Sequence, residues 1–93
     1  GKSGLMALTR QFAIDLAPFV RVNAIAPGPV LPPAHYSPEK IQRSADKTLV
    51  KHWGRPEDIS KAVNFLVDED FITGEVIIVD GGQRYGHRKI TEA

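Results

Sequence analysis

Two short apolar runs constrain this chain more than any other feature: "VRVNAIA" at 20–26 and "EVIIVD" at 75–80. Both are rich in β-branched residues and nearly continuous in apolar character, broken in the first only by Arg21 and Asn23. That is the pattern of strands buried on both faces, as in a parallel sheet. Helix signals lie before and between them, and apolar strands joined through helices imply parallel pairing with crossover connections. Two strands do not make a stable sheet alone, and the chain enters on a helix with no strand before it. The expected fold is α/β, the C-terminal part of a doubly wound parallel-sheet domain, ordered helix-strand-helix-helix-strand. Residues 1–93 are expected to be one portion of a single domain, its N-terminal half absent.

The first helix is expected over 2–17. Leu5, Leu8, Thr9, Phe12, Ala13 and Leu16 recur at helical spacing, and Met6 and Ile14 widen the stripe. Pro18 stops it, having no amide hydrogen and clashing with the preceding turn. Asn23, inside the first strand, needs partners for its amide and is expected to bond neighbouring backbone. "PGPVLPP" at 27–33 leaves the sheet as a stiff loop, with φ fixed at four of its seven positions. Ser37-Pro38 is a good N-cap and N1 pair and predicts a weaker helix over roughly 38–46. Pro56 opens a third helix, with Glu57 and Asp58 at its positive end. Its expected buried side is Ile59, Ala62, Val63, Phe65, Leu66 and Val67. The tail "QRYGHRKITEA" has no period, and Arg84, His87, Arg88 and Lys89 read as a solvated basic group.

Composition narrows the function classes. The formal net charge is +1, so bulk charge points to neither nucleic acid nor a membrane surface. No apolar run is long enough to span a bilayer, and the default location is cytoplasmic. There is no cysteine, hence no disulfide and no thiolate metal site. His35, His52 and His87 are scattered without metal-ligand spacing, and no metal site is expected. The fold must rest on apolar burial, and a chain of 93 residues has a poor surface-to-volume ratio. Association with further structure is the expected source of stability.

Chemistry enters at the first letters, Gly1-Lys2-Ser3. They fit the end of a phosphate-binding loop, G-x-x-x-x-G-K-[ST], with "VIIVD" at 76–80 as the strand and aspartate that hold magnesium. That reading leaves "PGPVLPP" without a role. The letters equally fit the end of a signature in which Lys2 assists an acid–base residue one helical turn earlier. Asp80-Gly81-Gly82 then reads as a turn at the sheet edge.

Taken in order, the chain has K-S-G-x-x-x-L-T-R, L-A-P, R-V-N-A-I-A-P-G-P-V, G-R-P-E-D-I and F-I-T-G-E-V-I-I-V-D-G-G. This succession resembles the C-terminal part of the short-chain dehydrogenase/reductase family, whose domain is of Rossmann type. The resemblance runs from Lys2 to about Gly82. It matches Lys2 to the lysine of the family's Tyr-x-x-x-Lys motif, the tyrosine falling outside this sequence. Residues four apart share a helix face, and a lysine cation beside a phenol lowers its pKa toward working pH.

The resemblance also implies that Lys2 hydrogen-bonds the nicotinamide ribose, and that Pro27, Gly28 and Val30 line the nicotinamide pocket of NADP or NAD, with NADP favoured. Where the family often has a threonine, this chain has Pro32, which has neither hydroxyl nor amide hydrogen. Pro27 to Pro33, with Trp53-Gly54 downstream, is similar to the pteridine-reductase-like branch. By that likeness 31–52 is a substrate lid, with Leu31, His35, Tyr36 and Trp53 as substrate-facing candidates. Core packing is the competing role for Trp53. The implied activity is hydride transfer to or from a carbonyl, an alcohol or a reducible pterin-like ring, in a homo-oligomer built on the first helix and the "FITGEVIIVDGG" segment. The rival is a non-catalytic oligomerisation module of the same fold. The isolated chain is expected to be inactive, because the family's serine and tyrosine precede Lys2.

Overall fold

A computed structural model describes residues 1–86 of the chain. Three helices, α1 (Lys2–Leu16), α2 (Pro38–Asp46) and α3 (Pro56–Asp68), accompany two strands, β1 (Ala24–Pro27) and β2 (Val76–Val79). The strands pair in parallel, Ala24 opposite Val76 through Pro27 opposite Val79. Both α1 and α3 pack against both strands, and α3 lies on the crossover between them. A short 3-10 turn, Gln83–Tyr85, follows β2.

The helix starts follow from their caps. Ser37 Oγ accepts the Lys40 amide at 3.2 Å, with Pro38 in the first turn. At α3, Asp58 Oδ2 accepts the Arg55 amide at 2.7 Å, behind Pro56. Gly74, at φ 77°, gives its amide to the Val22 carbonyl at 2.7 Å and turns the chain into β2.

The first strand is shorter than the sequence predicts: 24–27 rather than 20–26. Residues 21–23 bond to α3 and to the segment after it instead. Arg21 donates to the carbonyls of Leu66, Val67, Glu69 and Ile72, at 2.9, 3.1, 2.8 and 3.3 Å. The last turn of α3 has no basic residue of its own. Arg21 supplies the missing cation and satisfies carbonyls that the helix end leaves free. Asn23 does bond neighbouring backbone, giving a hydrogen bond to the Ile72 carbonyl and accepting the Glu75 amide, both at 3.0 Å. Arg21→Ala is expected to destabilise the domain by about 2 kcal/mol, as loss of hydrogen bonds from a charged donor does. Urea denaturation of the full-length protein measures it, with Arg21→Lys recovering part of the loss.

The apolar stripes are less buried than expected. On α1 only Thr9 and Ala13 are buried, while Leu8, Phe12, Ile14 and Leu16 are exposed. On α3 Leu66 is buried, Ile59 and Ala62 are half-buried, and Val63, Phe65 and Val67 face outward. Phe19 and Phe71 are 89% and 97% exposed. Such side chains are what a layer of α/β structure presents to further structure.

Candidate functional site

A parallel sheet gathers its ligands outside the carboxyl ends of its strands. Here that edge holds Pro27-Gly28-Pro29-Val30 after β1 and Asp80-Gly81-Gly82 after β2. Because α1 leads into β1, the first turn of α1, with Lys2, lies toward the same edge. The charge of Lys2 is felt there, lowering the pKa of both Asp80 and Tyr85.

Gly28 owes its identity to the sheet. Its amide gives a hydrogen bond to the Val79 carbonyl at 2.8 Å, and a Cβ built on it would lie 2.6 Å from Asp80 Cα. The close backbone approach is therefore to the neighbouring strand end. Val30 is half-buried and packs by Gly54, whose amide donates to the Pro29 carbonyl at 2.9 Å. A cavity of about 360 Å³ opens beside Val30, bounded by Val50, His52, Asp58, Lys61 and Gly81. His52 and Lys61 are polar groups at this cavity that the sequence reading did not assign to a site.

The turn after β2 is built around a buried carboxylate. Asp80 is 9% exposed and accepts the Gly82 amide at 2.8 Å and the Arg84 amide at 3.2 Å. The Arg84 guanidinium pairs with it at 3.2 Å. Burial pushes the Asp80 carboxyl pKa up, but the two amides and the charges of Arg84 and Lys2 outweigh it and hold it below its ordinary value of 3.8. Gly81 and Gly82 take φ of 60° and 80°, the left-handed region this turn requires. Arg84 is thus engaged in the turn, not solvated in a tail as expected, and His87, Arg88 and Lys89 lie outside the described residues. Both Asp80 oxygens are occupied by its own turn, so nothing commends it as the magnesium aspartate of a phosphate-binding loop.

Since the folded state depresses the Asp80 pKa, its contribution to stability is full above the unfolded value and is lost as pH falls through the lower folded value. The full-length protein is expected to lose stability on acidification below about pH 4. In Asp80→Asn this acid limb flattens, as thermal unfolding across a pH series measures.

The segment joining α2 to α3 is fastened over this turn. Leu49 and Val50 amides donate to the Gly81 carbonyl at 2.9 and 3.2 Å. Thr48, 1% exposed, bonds the Ala45 carbonyl at 2.8 Å and accepts the Lys51 amide at 2.8 Å. The expected lid, 31–52, is therefore tied down at its C-terminal end.

Of the substrate candidates, Leu31 and His35 are exposed and Tyr36 and Trp53 are half-buried. Tyr36 stands edge-on to both His35 and Trp53, with centroids 5.1 and 6.4 Å apart, and Lys40 Nζ lies 4.4 Å above its ring. Trp53 Nε1 donates to the Ile41 carbonyl at 3.0 Å, which spends its polar atom on α2. These four do not line the cavity beside Val30. Among the described residues no group of three His, Cys, Asp or Glu is arranged to hold a metal ion, and no helix is long and apolar enough to cross a membrane.

Comparison with known proteins gives this edge a family. The family model described as enoyl-(acyl carrier protein) reductase matches residues 1–84. Short-chain dehydrogenase/reductase SDRA of Arabidopsis thaliana is 39% identical over 89 residues, covering 87% of this chain and 34% of its own. Dihydromonapterin reductase of Escherichia coli is 37% identical over 82 residues, covering 88% of this chain and 34% of its own. The crystal structure of FolM alternative dihydrofolate reductase 1 from Brucella suis in complex with NADP superposes with a TM-score of 0.81. It is 37% identical and covers 99% of this chain and 37% of that one. The chain spans about a third of the length of the curated relatives it matches.

Proposed function

This chain belongs to the short-chain dehydrogenase/reductase family, and from that premise we propose that it forms the C-terminal portion of an NAD(P)(H)-dependent oxidoreductase. The reaction is hydride transfer to or from a carbonyl, an alcohol or a reducible pterin-like ring. The observation that carries the reading is the shared edge: Lys2 opens α1 toward the end of the sheet where Pro27–Val30 and Asp80–Gly82 leave it. A ring class of substrate is favoured by likeness to the dihydromonapterin reductase and to FolM.

A nicotinamide cofactor fits this edge on one test and not on another. Val30 and Pro29 border open cavity beside the strand ends, which leaves room for an apolar ring. Gly28, by contrast, is filled from behind by Asp80, so its part is to bring the strand ends together. When bound, the cofactor supplies the hydride. NADP is the first choice because the FolM structure holds it, and NAD is the alternative.

Lys2 acts through charge. A fixed cation one turn after a phenol favours the phenolate, so that the phenol gives up its proton nearer to working pH. Its ammonium hydrogens also serve the ribose hydroxyls. Pro27 and Val30 hold the nicotinamide side of the pocket, Val30 through its backbone groups. Likeness to the pterin-acting relatives supports Leu31, His35 and Tyr36 as the substrate side, outside the cavity beside Val30, and Trp53 fixes the base of the lid through α2. The exposed apolar side chains of α1 and α3 then meet the rest of the domain and a second subunit. The site of action is the cytoplasm.

The test is turnover. The full-length protein is expected to consume NADPH with a carbonyl or dihydropterin substrate, and the isolated 93-residue chain is expected to consume none. Turnover by the isolated chain contradicts the reading. A full-length protein without a tyrosine four residues before Lys2 favours the non-catalytic module.

A further inference from the structure

One cluster at the ligand edge has no part in the reaction as derived above: Asp80, Arg84 and Tyr85. Its members are tied to one another in sequence. Asp80 is buried and fixes the turn through two backbone amides. The Arg84 guanidinium is clamped between the Asp80 carboxylate, at 3.2 Å, and the face of the Tyr85 ring, at 4.6 Å. Gly86, next in the chain, abuts the Lys47 carbonyl with no room for a side chain. The Tyr85 ring rests against Arg84 on one face and is 46% exposed.

A phenol kept half-open by a salt bridge, a cation–π contact and a close-packed glycine is not ordinary surface. Cations over aromatic faces are attracted by the ring quadrupole, and here that attraction orients the ring. The adjacent Arg84 guanidinium, aided by Lys2, also lowers the Tyr85 pKa. A more acidic phenol is a stronger hydrogen-bond donor, and its natural partner is an uncharged or anionic acceptor.

We propose that Tyr85 is a specificity-determining residue whose hydroxyl donates a hydrogen bond to an acceptor on the substrate, a carbonyl oxygen or ring nitrogen away from the reacting carbon. Arg84 is a positioning residue that holds the ring. The proposal rests on the oxidoreductase reading and goes beyond it by naming how the substrate is chosen.

Steady-state kinetics of the full-length protein test it, with the carbonyl or dihydropterin substrate that the wild type turns over. Tyr85→Phe keeps the ring and removes only the hydroxyl. It is expected to raise the substrate KM about tenfold, the effect of one net hydrogen bond, with kcat within about twofold and the NADPH dissociation constant unchanged. Arg84→Gln is expected to raise KM less and to move the Tyr85 phenol titration upward, read by ultraviolet difference against Tyr85→Phe. Arg84→Lys restores part of both. An unchanged KM in Tyr85→Phe overturns the proposal, as does an equal loss of NADPH binding, which marks a merely structural role. A wild type without any turnover removes the oxidoreductase reading and the proposal together, so the two failures are told apart by the control.

Discussion

Lys2→Met in the full-length protein is expected to lower kcat/KM by about two to four orders of magnitude, the range that a positioned acid–base group contributes. Methionine keeps the helix former and most of the stem but removes the cation. Without the cation the phenol proposed to precede Lys2 reverts toward its ordinary pKa near 10, and the pH profile of kcat/KM shifts alkaline. That shift separates a chemical role from a structural one. Lys2 is exposed in the first turn of α1, so a change in its charge has little packing consequence. Circular dichroism should be unaltered. A Lys2→Met protein with wild-type kcat/KM would remove Lys2 from the site.

Gly28→Ala is expected to destabilise the domain by about 3 kcal/mol, the upper part of the usual range for forced overpacking. The new methyl would meet Asp80 Cα at 2.6 Å and the Asp80 carbonyl oxygen at 3.1 Å. These are backbone atoms, so no side-chain rotation relieves the clash. The strand ends must part, breaking the 2.8 Å bond from the Gly28 amide to Val79 and tilting the Asp80 turn. Activity should fall with stability, because Val30 and Tyr85 hang from the two ends being separated. The midpoint of urea denaturation measures the first effect. An unchanged midpoint would mean the strand ends do not approach as closely as described.

What could be read from the sequence follows the range of the interactions. The starts of α2 and α3 depend on neighbours in the chain, Ser37-Pro38 and Pro56 with Asp58, and lie where the sequence predicts. Parallel pairing was also legible, because apolar strands joined through helices leave little else. The start of β1 was not, since Arg21 and Asn23 are taken by carbonyls and amides some fifty residues away. No local pattern signals such a partner. Helical spacing marked the apolar positions on α1 and α3 but not which of them this chain covers. Val63, Phe65 and Val67 are as apolar as Leu66, and only Leu66 is buried.

The candidate site divides in the same way. Motif order nominates Lys2, Pro27 and Val30, and of these Val30 borders the cavity. The Asp80 turn was legible as a turn, because glycines at positive φ announce one. Its coupling to Arg84 and Tyr85 was hidden in an aperiodic tail. By sequence Trp53 suits packing or substrate, and its bond to the Ile41 carbonyl is a packing role.

The proposed hydride transfer is tested most directly by following an isotope. The full-length protein would be incubated with NADPH deuterated at the transferable nicotinamide carbon and with a carbonyl or dihydropterin substrate. Mass spectrometry of the product then reads the label. The expected result is one deuterium on the reduced carbon with wild type, and little with Lys2→Met in the same time. A product without deuterium, or no product from any substrate of these classes, would contradict it.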